Sequence, residues 1–248
     1  VLGGRFRRLL DPARERVGVL LPNVNGTPVT LLALWRIGRI PAVLNYSSGV
    51  PLMLTCSELA GVRQVITSRL FLAKAKLDVA PMEAAGIEFI YLEDIRKNIP
   101  GLAKLGVLLR HRLAFGQARF NIPGDRTAVI LFTSGSEGVP KGVELTHRNI
   151  LANLRQLFAA VDVTDTDTLF NCLPMFHSFG LVVGTLLPLC RGIRTTVFPS
   201  PLQYRLVPTA VYNSNATMFL STNTFLNGYA RKAHPYDFRN VRYLLAGA

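Results

Sequence analysis

The 248-residue sequence is poor in cysteine and in acidic residues, and it has no long apolar run. Its three cysteines, Cys56, Cys172 and Cys190, lie far apart, with neither a CxxC pair nor a His/Cys ligand cluster. We therefore expect no disulfide framework and no metal site, and reduced thiols of this kind are typical of a cytoplasmic protein. The nearest approach to a spanning helix, residues 27–44, is interrupted by two arginines and falls short of the ~20 apolar residues that a bilayer requires.

The scarcity of acid gives the chain a net charge of +13. Residues 1–120 carry 17 Lys/Arg against 8 Asp/Glu, whereas residues 121–248 carry 11 against 7. Such a surface attracts nucleic acid, anionic lipid or an acidic carrier protein. Because the sequence contains no RNP motif, zinc finger or recognition helix, we expect no nucleic-acid partner.

One segment concentrates this positive charge. Residues 96–119 hold six Lys/Arg and no acid, and leucines at 102, 105, 109 and 113 follow helical spacing. The pattern suits a helix that lies on an anionic membrane surface. It also suits a solvated basic helix whose leucines pack on their own domain, because any surface helix shows such amphipathicity.

Strand-like and helix-like runs alternate along the chain, which predicts a doubly wound α/β architecture with helices on both faces of the sheets. Almost half of the residues are hydrophobic and only 17% are charged, as expected when parallel strands are buried. The patterns predict strands at 17–21, 64–67, 87–91, 127–133, 168–172, 194–198, 216–220 and 241–245, and helices at 28–38, 69–77, 147–160, 181–189, 202–213 and 222–231.

The most informative stretch is residues 133–142, Thr-Ser-Gly-Ser-Glu-Gly-Val-Pro-Lys-Gly, which follows a strand-like apolar run. Three hydroxyls and the backbone N–H groups at two glycines can surround phosphate oxygens, and a lysine adds positive charge. These candidate phosphate-binding residues are Thr133, Ser134, Gly135, Ser136, Gly138 and Lys141.

This loop differs chemically from a Walker P-loop, in which a lysine and a hydroxyl residue open a helix. Here Pro140 replaces the second glycine and Gly142 replaces the hydroxyl residue. The following residues, 143–146, predict a short strand, so no helix dipole would point at the phosphates. A kinase or a GTPase is therefore disfavoured.

The loop resembles the phosphate-binding signature of the adenylate-forming superfamily, which includes acyl-CoA synthetases, luciferases and peptide-synthetase adenylation domains. Residues 174–180, Pro-Met-Phe-His-Ser-Phe-Gly, resemble its aromatic-histidine motif, and residues 244–248 resemble the start of its adenine-binding segment. The resemblance implies ATP and Mg²⁺ as cofactors, His177 as a catalytic residue beside the acyl carboxylate, and Gly247 and Ala248 along the adenine.

Further segments, among them 199–208 and 229–248, resemble the acyl-acyl-carrier-protein synthetase part of the bifunctional 2-acylglycerophosphoethanolamine acyltransferases. This resemblance implies a fatty acid and an acyl-carrier protein or CoA as partners. It also implies lysophospholipid reacylation, with an anionic membrane surface as a further partner, at the cytoplasmic face of the bacterial inner membrane. The alternatives are a soluble acyl-CoA ligase and a non-catalytic nucleotide-binding domain.

The same resemblance predicts that residues 1–248 form an incomplete N-terminal domain of a longer enzyme. We expect a first α/β part at about 1–124 and a phosphate-loop part at 125–248, with the mobile C-terminal domain of the superfamily absent. No H-x-x-x-x-D acyltransferase motif is visible. The isolated chain is therefore expected to have no ligase turnover of its own.

Overall fold

A computed structural model describes residues 1–101, 105–107, 109, 122–135 and 139–247. The chain divides into two compact units. The first comprises Val1–Leu21 and Val29–His147, and the second comprises Pro22–Pro28 and Arg148–Ala248. The boundary that we expect near residue 124, between two parts of the longer enzyme, stays a prediction. The strands on both sides of the predicted phosphate loop belong to the first unit.

The first unit alternates strands with helices over most of its length. Its strands are β1 (Arg16–Val19), β2 (Ile40–Val43), β3 (Gln64–Thr67), β4 (Glu88–Tyr91), β5 (Thr127–Ser134) and β6 (Pro140–Thr146). Its helices are α1 (Leu2–Leu9), α2 (Gly26–Arg36, whose first turn lies in Pro22–Pro28), α3 (Val50–Leu59), α4 (Arg69–Ala75), α5 (Ala80–Ala84) and α6 (Leu92–Lys97), with a 3₁₀ turn at Tyr46–Ser48.

These strands form one six-stranded sheet in the order β4-β3-β1-β2-β5-β6. All neighbouring strands are parallel except β5 and β6, which are antiparallel. The central strands β1, β2 and β3 are buried along almost their whole length, as parallel strands covered on both faces must be. On one side, Met53 and Cys56 of α3, Phe71 and Leu72 of α4 and Met82 of α5 join a buried apolar cluster with the sheet.

The second unit contains a four-stranded parallel sheet in the order β10-β9-β7-β8. Its strands are β7 (Thr168–Asn171), β8 (Arg194–Val197), β9 (Met218–Ser221) and β10 (Tyr243–Ala246). Its helices are α7 (His147–Ala160, which begins in the first unit), α8 (Leu187–Arg191), α9 (Leu206–Asn213) and α10 (Asn223–Ala230), with a π-helix at Phe179–Leu186 and a 3₁₀ turn at Pro235–Phe238.

Aromatic side chains form much of the core of this second sheet. Phe170 and Phe219 are fully buried on β7 and β9, with ring centroids 5.8 Å apart. Tyr229 of α10 is 1% exposed, and its hydroxyl donates to the Pro201 carbonyl at 2.7 Å, so its polar end is satisfied inside the core.

An ion pair ties together the starts of three strands of this sheet. Arg242, before β10, donates to both carboxylate oxygens of Asp167, before β7, at 2.8 and 2.7 Å. Thr217, before β9, donates to the same carboxylate at 2.6 Å. The guanidinium and the hydrogen bonds hold the pKa of Asp167 well below its usual range, although burial opposes the shift. The parallel order β10-β9-β7 is thereby fixed at its amino-terminal edge.

The fold prediction is confirmed, because the protein is a mixed α/β structure with two sheets flanked by helices. None of the helices in the described part of the chain is both long enough and apolar enough to cross a membrane.

Candidate functional site

The predicted phosphate loop is the tip of an antiparallel hairpin. Strand β5 brings Phe132 into the core, where it is 8% exposed, and then emerges at Thr133 and Ser134, which are both exposed. The chain returns along β6, in which Lys141 pairs with Thr133 and Pro140 with Ser134. The strands predicted before and after the loop are therefore confirmed, and among the described residues the next helix begins only at His147, after β6 and not at the loop as in a Walker motif.

The register brings a hydroxyl and an ammonium group to the same side of the hairpin. Side chains directly opposite each other on antiparallel strands share a face, so Thr133 and Lys141 lie together. Lys141 is exposed. Gly142, the next residue, lies on the other face, where a side chain would meet Ile130 and Leu59 at 3.6 and 3.7 Å. The polar face of the hairpin therefore carries two donors that suit phosphate oxygens.

Gly135 has a structural role in the hairpin, and its predicted part in phosphate binding stays a prediction. Its N–H donates to the Val139 carbonyl at 3.1 Å, which closes the hairpin tip, so this amide is engaged within the hairpin. A Cβ at this position would lie 2.1 Å from the Val139 oxygen, a distance that no side chain tolerates. Glycine is thus required here by close backbone approach. Ser136 and Gly138 lie outside the described residues.

The aromatic-histidine segment follows β7 in the second unit. Met175 and Phe176 are buried, at 2% and 5% exposure, and the Phe176 and His177 ring centroids are 4.7 Å apart. His177 is exposed. The protein around its imidazole nevertheless removes part of the water from the ring, and this desolvation lowers the pKa of His177 below the usual value. At neutral pH the ring is therefore uncharged, with one nitrogen donating and the other accepting.

The backbone around His177 is tightly turned. The His177 N–H donates to the Pro174 carbonyl at 3.1 Å, and the His177 carbonyl accepts from the Leu181 N–H at 2.9 Å. A Cβ on Gly180 would lie 2.3 Å from the same Pro174 carbonyl oxygen. Only glycine lets the π-helix Phe179–Leu186 begin so close to this turn.

Two buried asparagines hold this segment, and the sequence reasoning missed both. Asn171 is 0% exposed; its Oδ1 accepts from the Leu173 N–H at 3.0 Å, and its Nδ2 donates to the Gly180 carbonyl at 3.1 Å. Asn23 is 2% exposed and hydrogen-bonds to the Leu173 carbonyl and the Met175 N–H. Because Asn is common in turns, its type gave no sign of burial.

Gly247 lies directly after β10, and its N–H donates to the Ser221 carbonyl at the end of β9, at 3.2 Å. The Phe179 ring lies 3.6 Å from where a Gly247 Cβ would be. The second unit thus brings Gly247 and the histidine segment to the carboxyl ends of parallel strands, the edge at which α/β sheets bind ligands. Ala248 lies outside the described residues.

The three cysteines of the chain differ in exposure. Cys56 and Cys172 are buried and free, and burial raises the pKa of the Cys172 thiol to about 11. Cys190 is free and exposed. Within the described residues, no three His, Cys, Asp or Glu side chains gather in a group that could hold a metal ion.

Residues 10–248 match the AMP-binding enzyme family, and the chain belongs to this family. It is 30% identical over 187 residues to "4-coumarate--CoA ligase-like 8" of Arabidopsis thaliana, a match covering 73% of this chain and 32% of that protein. It is 43% identical over 74 residues to the "Medium-chain fatty-acid--CoA ligase" of Escherichia coli K12, covering 30% of this chain and 13% of that protein.

Solved structures share the fold at lower identity. The inhibitor-bound N-terminal domain of FACL13 from Mycobacterium tuberculosis has a TM-score of 0.79 and 21% identity, covering 100% of this chain and 60% of that one. O-succinylbenzoate coenzyme A synthetase (MenE) from Bacillus subtilis, in complex with ATP and magnesium ion, has a TM-score of 0.78 and 19% identity, covering 100% of this chain and 47% of that one. The chain thus spans less than two thirds of the length of these curated relatives and solved structures.

Proposed function

We propose that this chain is part of an ATP-dependent ligase that activates a fatty acid as its acyl-adenylate and transfers the acyl group to a phosphopantetheine thiol. The observation that carries the proposal is the hairpin of β5 and β6, which pairs Thr133 with Lys141 so that both exposed side chains lie on one face. ATP supplies the chemistry by activating the carboxylate with loss of pyrophosphate.

The donors of the hairpin fit the β- and γ-phosphates of ATP. Thr133, Ser134 and Lys141 offer hydroxyl and ammonium hydrogens, and the bond from the Gly135 N–H to the Val139 carbonyl holds the two strands together beside them. Charge-assisted bonds from lysine to phosphate are among the stronger polar contacts. Mg²⁺ usually binds substrate phosphates, waters and only one or two carboxylates. It therefore does not require a cluster of three or more protein ligands, which is absent among the described residues.

His177 fits the carboxylate side of the reaction. A neutral imidazole can donate a hydrogen bond to carboxylate or phosphate oxygens as negative charge shifts between them. The lowered pKa of His177 keeps this form populated at neutral pH. Gly247, at the end of β10, presents backbone without a side chain, which suits a flat base such as adenine.

More specifically, we propose that the thiol acceptor is an acyl-carrier protein and that the enzyme serves lysophospholipid reacylation. The segments resembling acyl-acyl-carrier-protein synthetases support it, and the net charge of +13 suits an acidic carrier. The competing candidate is a soluble acyl-CoA ligase, which the names of the curated relatives favour. The two candidates share the same adenylation step.

We further propose that the enzyme acts at the cytoplasmic face of the bacterial inner membrane. Leu105 and Leu109, two positions of the predicted apolar stripe, are 51% and 48% exposed. Exposed leucines one helical turn apart, inside a segment with six basic residues and no acid, suit an anionic bilayer.

The test is fatty-acid-dependent ATP/pyrophosphate exchange by the full-length enzyme, followed by thiol transfer. Exchange followed by faster loading of acyl-carrier protein than of CoA supports acyl-carrier protein as the acceptor, and the reverse preference supports the acyl-CoA ligase. ATP binding without exchange for any carboxylate would instead indicate a non-catalytic nucleotide-binding domain.

A further inference from the structure

A buried amide from far away in the sequence holds the segment that precedes His177. Asn23 donates from Nδ2 to the Leu173 carbonyl at 2.6 Å, and its Oδ1 accepts from the Met175 N–H at 3.1 Å. Its stretch, Pro22–Pro28, belongs to the second unit although the chain on both sides of it belongs to the first. The Asn23 side chain therefore links this stretch to a loop about 150 residues later.

The chemistry of the contact is specific to a primary amide. Pro174, between the two bonded residues, has no N–H, so the Leu173 carbonyl and the Met175 N–H are the backbone groups that need partners here. An Asn side chain supplies one donor and one acceptor in a single plane. With an apolar side chain in place of Asn23, both backbone groups would lack these partners inside the protein.

The contact leads directly to the candidate catalytic residue. The Pro174 carbonyl, held between the two anchored residues, accepts the His177 N–H and so sets the turn that presents the imidazole. We propose that Asn23 is a positioning residue that fixes the Leu173–Met175 backbone and thereby the direction of the His177 ring. This inference rests on the proposed role of His177 in adenylate formation.

The experiment compares wild-type full-length enzyme with Asn23→Ala and Asn23→Asp. Asn23→Asp keeps the size of the side chain and the acceptor for the Met175 N–H. The matched control is Thr27→Val, which removes the bond from the buried Thr27 hydroxyl to the Pro22 carbonyl in the same stretch but leaves the Asn23 amide in place. Two readouts are hydrogen exchange of the amides in residues 171–179 and steady-state ATP/pyrophosphate exchange.

We expect Asn23→Ala to raise amide exchange locally at residues 171–179 and to lower kcat by about 10- to 100-fold, the effect of misplacing a reacting group by about an ångström. The KM for ATP should stay within about twofold, because the β5–β6 hairpin keeps its own backbone bonds. Asn23→Asp should be intermediate in local exchange, and Thr27→Val should resemble wild type in both readouts.

Unchanged exchange at residues 171–179 in Asn23→Ala would overturn the proposal, as would an unchanged kcat. A rise in exchange spread evenly over the second unit would also overturn it, by indicating a general structural role. If wild-type enzyme shows no ATP/pyrophosphate exchange with any carboxylate, the proposed function fails and the catalytic part of this inference fails with it. Hydrogen exchange still decides in that case whether Asn23 anchors the loop.

Discussion

Lys141 carries the positive charge of the hairpin tip, next to the Thr133 hydroxyl. Lys141→Ala removes one charge-assisted hydrogen bond to phosphate, worth roughly 1.5–3 kcal/mol. We expect kcat/KM for ATP in pyrophosphate exchange to fall by about 10- to 100-fold, while the midpoint of urea unfolding stays unchanged. Lys232→Ala, at another exposed lysine, is the control and should leave both values unaltered. An unchanged kcat/KM in Lys141→Ala would refute the phosphate assignment.

His177 makes a pH prediction because its neutral ring is the proposed donor. Desolvation lowers its folded pKa below the usual ~6.5, so the neutral form persists to lower pH than in free histidine. Adenylate formation should therefore be constant above about pH 6.5 and should fall as the pH drops through the lowered pKa.

In His177→Gln, which keeps a hydrogen-bond donor but does not titrate, the rate at pH 7.5 should be lower. The acidic limb attributed to His177 should disappear from its profile of kcat against pH. The same acidic limb in wild type and variant would show that another group titrates. An unreduced rate at pH 7.5 would show that His177 has no part in the reaction.

At the scale of helices and strands, the hydrophobic pattern predicted where many of them lie, but it did not predict which residues pair or pack together. Strand β3 and helix α7 have the bounds expected from the sequence, and most other strand ends differ by one or two residues. Strand β2 was missed because Pro41 usually argues against a central strand. The Ile40 and Leu44 N–H groups point to β1, so Pro41 faces the β5 side, where pairing begins only at Ala42.

At the candidate site, too, local sequence patterns could be predicted, whereas contacts that form on folding could not. The loop at residues 133–142 and the strands on both sides of it could be predicted because their apolar, glycine, hydroxyl and lysine positions are local in sequence, whereas the antiparallel pairing of the strands appears only in the structure. The roles of Asn23 and Asn171 could not, because the bonds of Asn23 join segments about 150 residues apart and the burial of Asn171 arises only in the folded second sheet. The role predicted for Gly135 in phosphate binding stays a prediction; its 2.1 Å approach to the Val139 oxygen is a separate requirement for glycine, which only the hairpin geometry reveals.

The ion pair of Asp167 and Arg242 makes a prediction about the second sheet. The Asp167 side chain is 1% exposed and that of Arg242 is 39% exposed. Breaking a fully buried pair costs about 3–5 kcal/mol. We expect Asp167→Asn to lower the free energy of unfolding by less than this, about 2 kcal/mol when measured in urea at pH 7, because water still screens the arginine.

The stabilisation that the Asp167–Arg242 ion pair gives to the folded protein should also depend on pH. The folded pKa of Asp167 lies below its unfolded value of ~3.9, so its contribution is complete above that value and is lost as the pH falls through the folded pKa. The difference in unfolding free energy between wild type and Asp167→Asn should therefore narrow below about pH 4. Asp165→Asn, in the exposed pair with Arg191, is the control and should change stability by less than about 0.5 kcal/mol. Equal losses in the two variants would contradict the account.

For the molecule as a whole, the distribution of charge is the property that most directly suggests where it works. The net charge of +13 lies mainly in the first 120 residues, and residues 96–119 contribute six positive charges without an acid. Each Lys or Arg near an anionic membrane adds about 1 kcal/mol of attraction, which salt screens within a Debye length. Together with the exposed Leu105 and Leu109, these charges predict reversible binding to anionic bilayers.

We expect the full-length enzyme to sediment with vesicles containing phosphatidylglycerol and less with neutral phosphatidylcholine vesicles, and we expect binding to the anionic vesicles to fall as salt rises. Replacing Lys104, Arg110 and Arg112 by Glu should abolish the preference for anionic vesicles, because the segment then loses its net positive charge. The control replaces the exposed Arg148, Arg155 and Lys232 by Glu, which changes the total charge by the same amount and should leave most binding intact. Equal losses in the two triple variants would show that overall charge, and not residues 96–119, draws the protein to the membrane. Equal binding to neutral and anionic vesicles would exclude an electrostatic role for the segment, which would then be a solvated basic stretch.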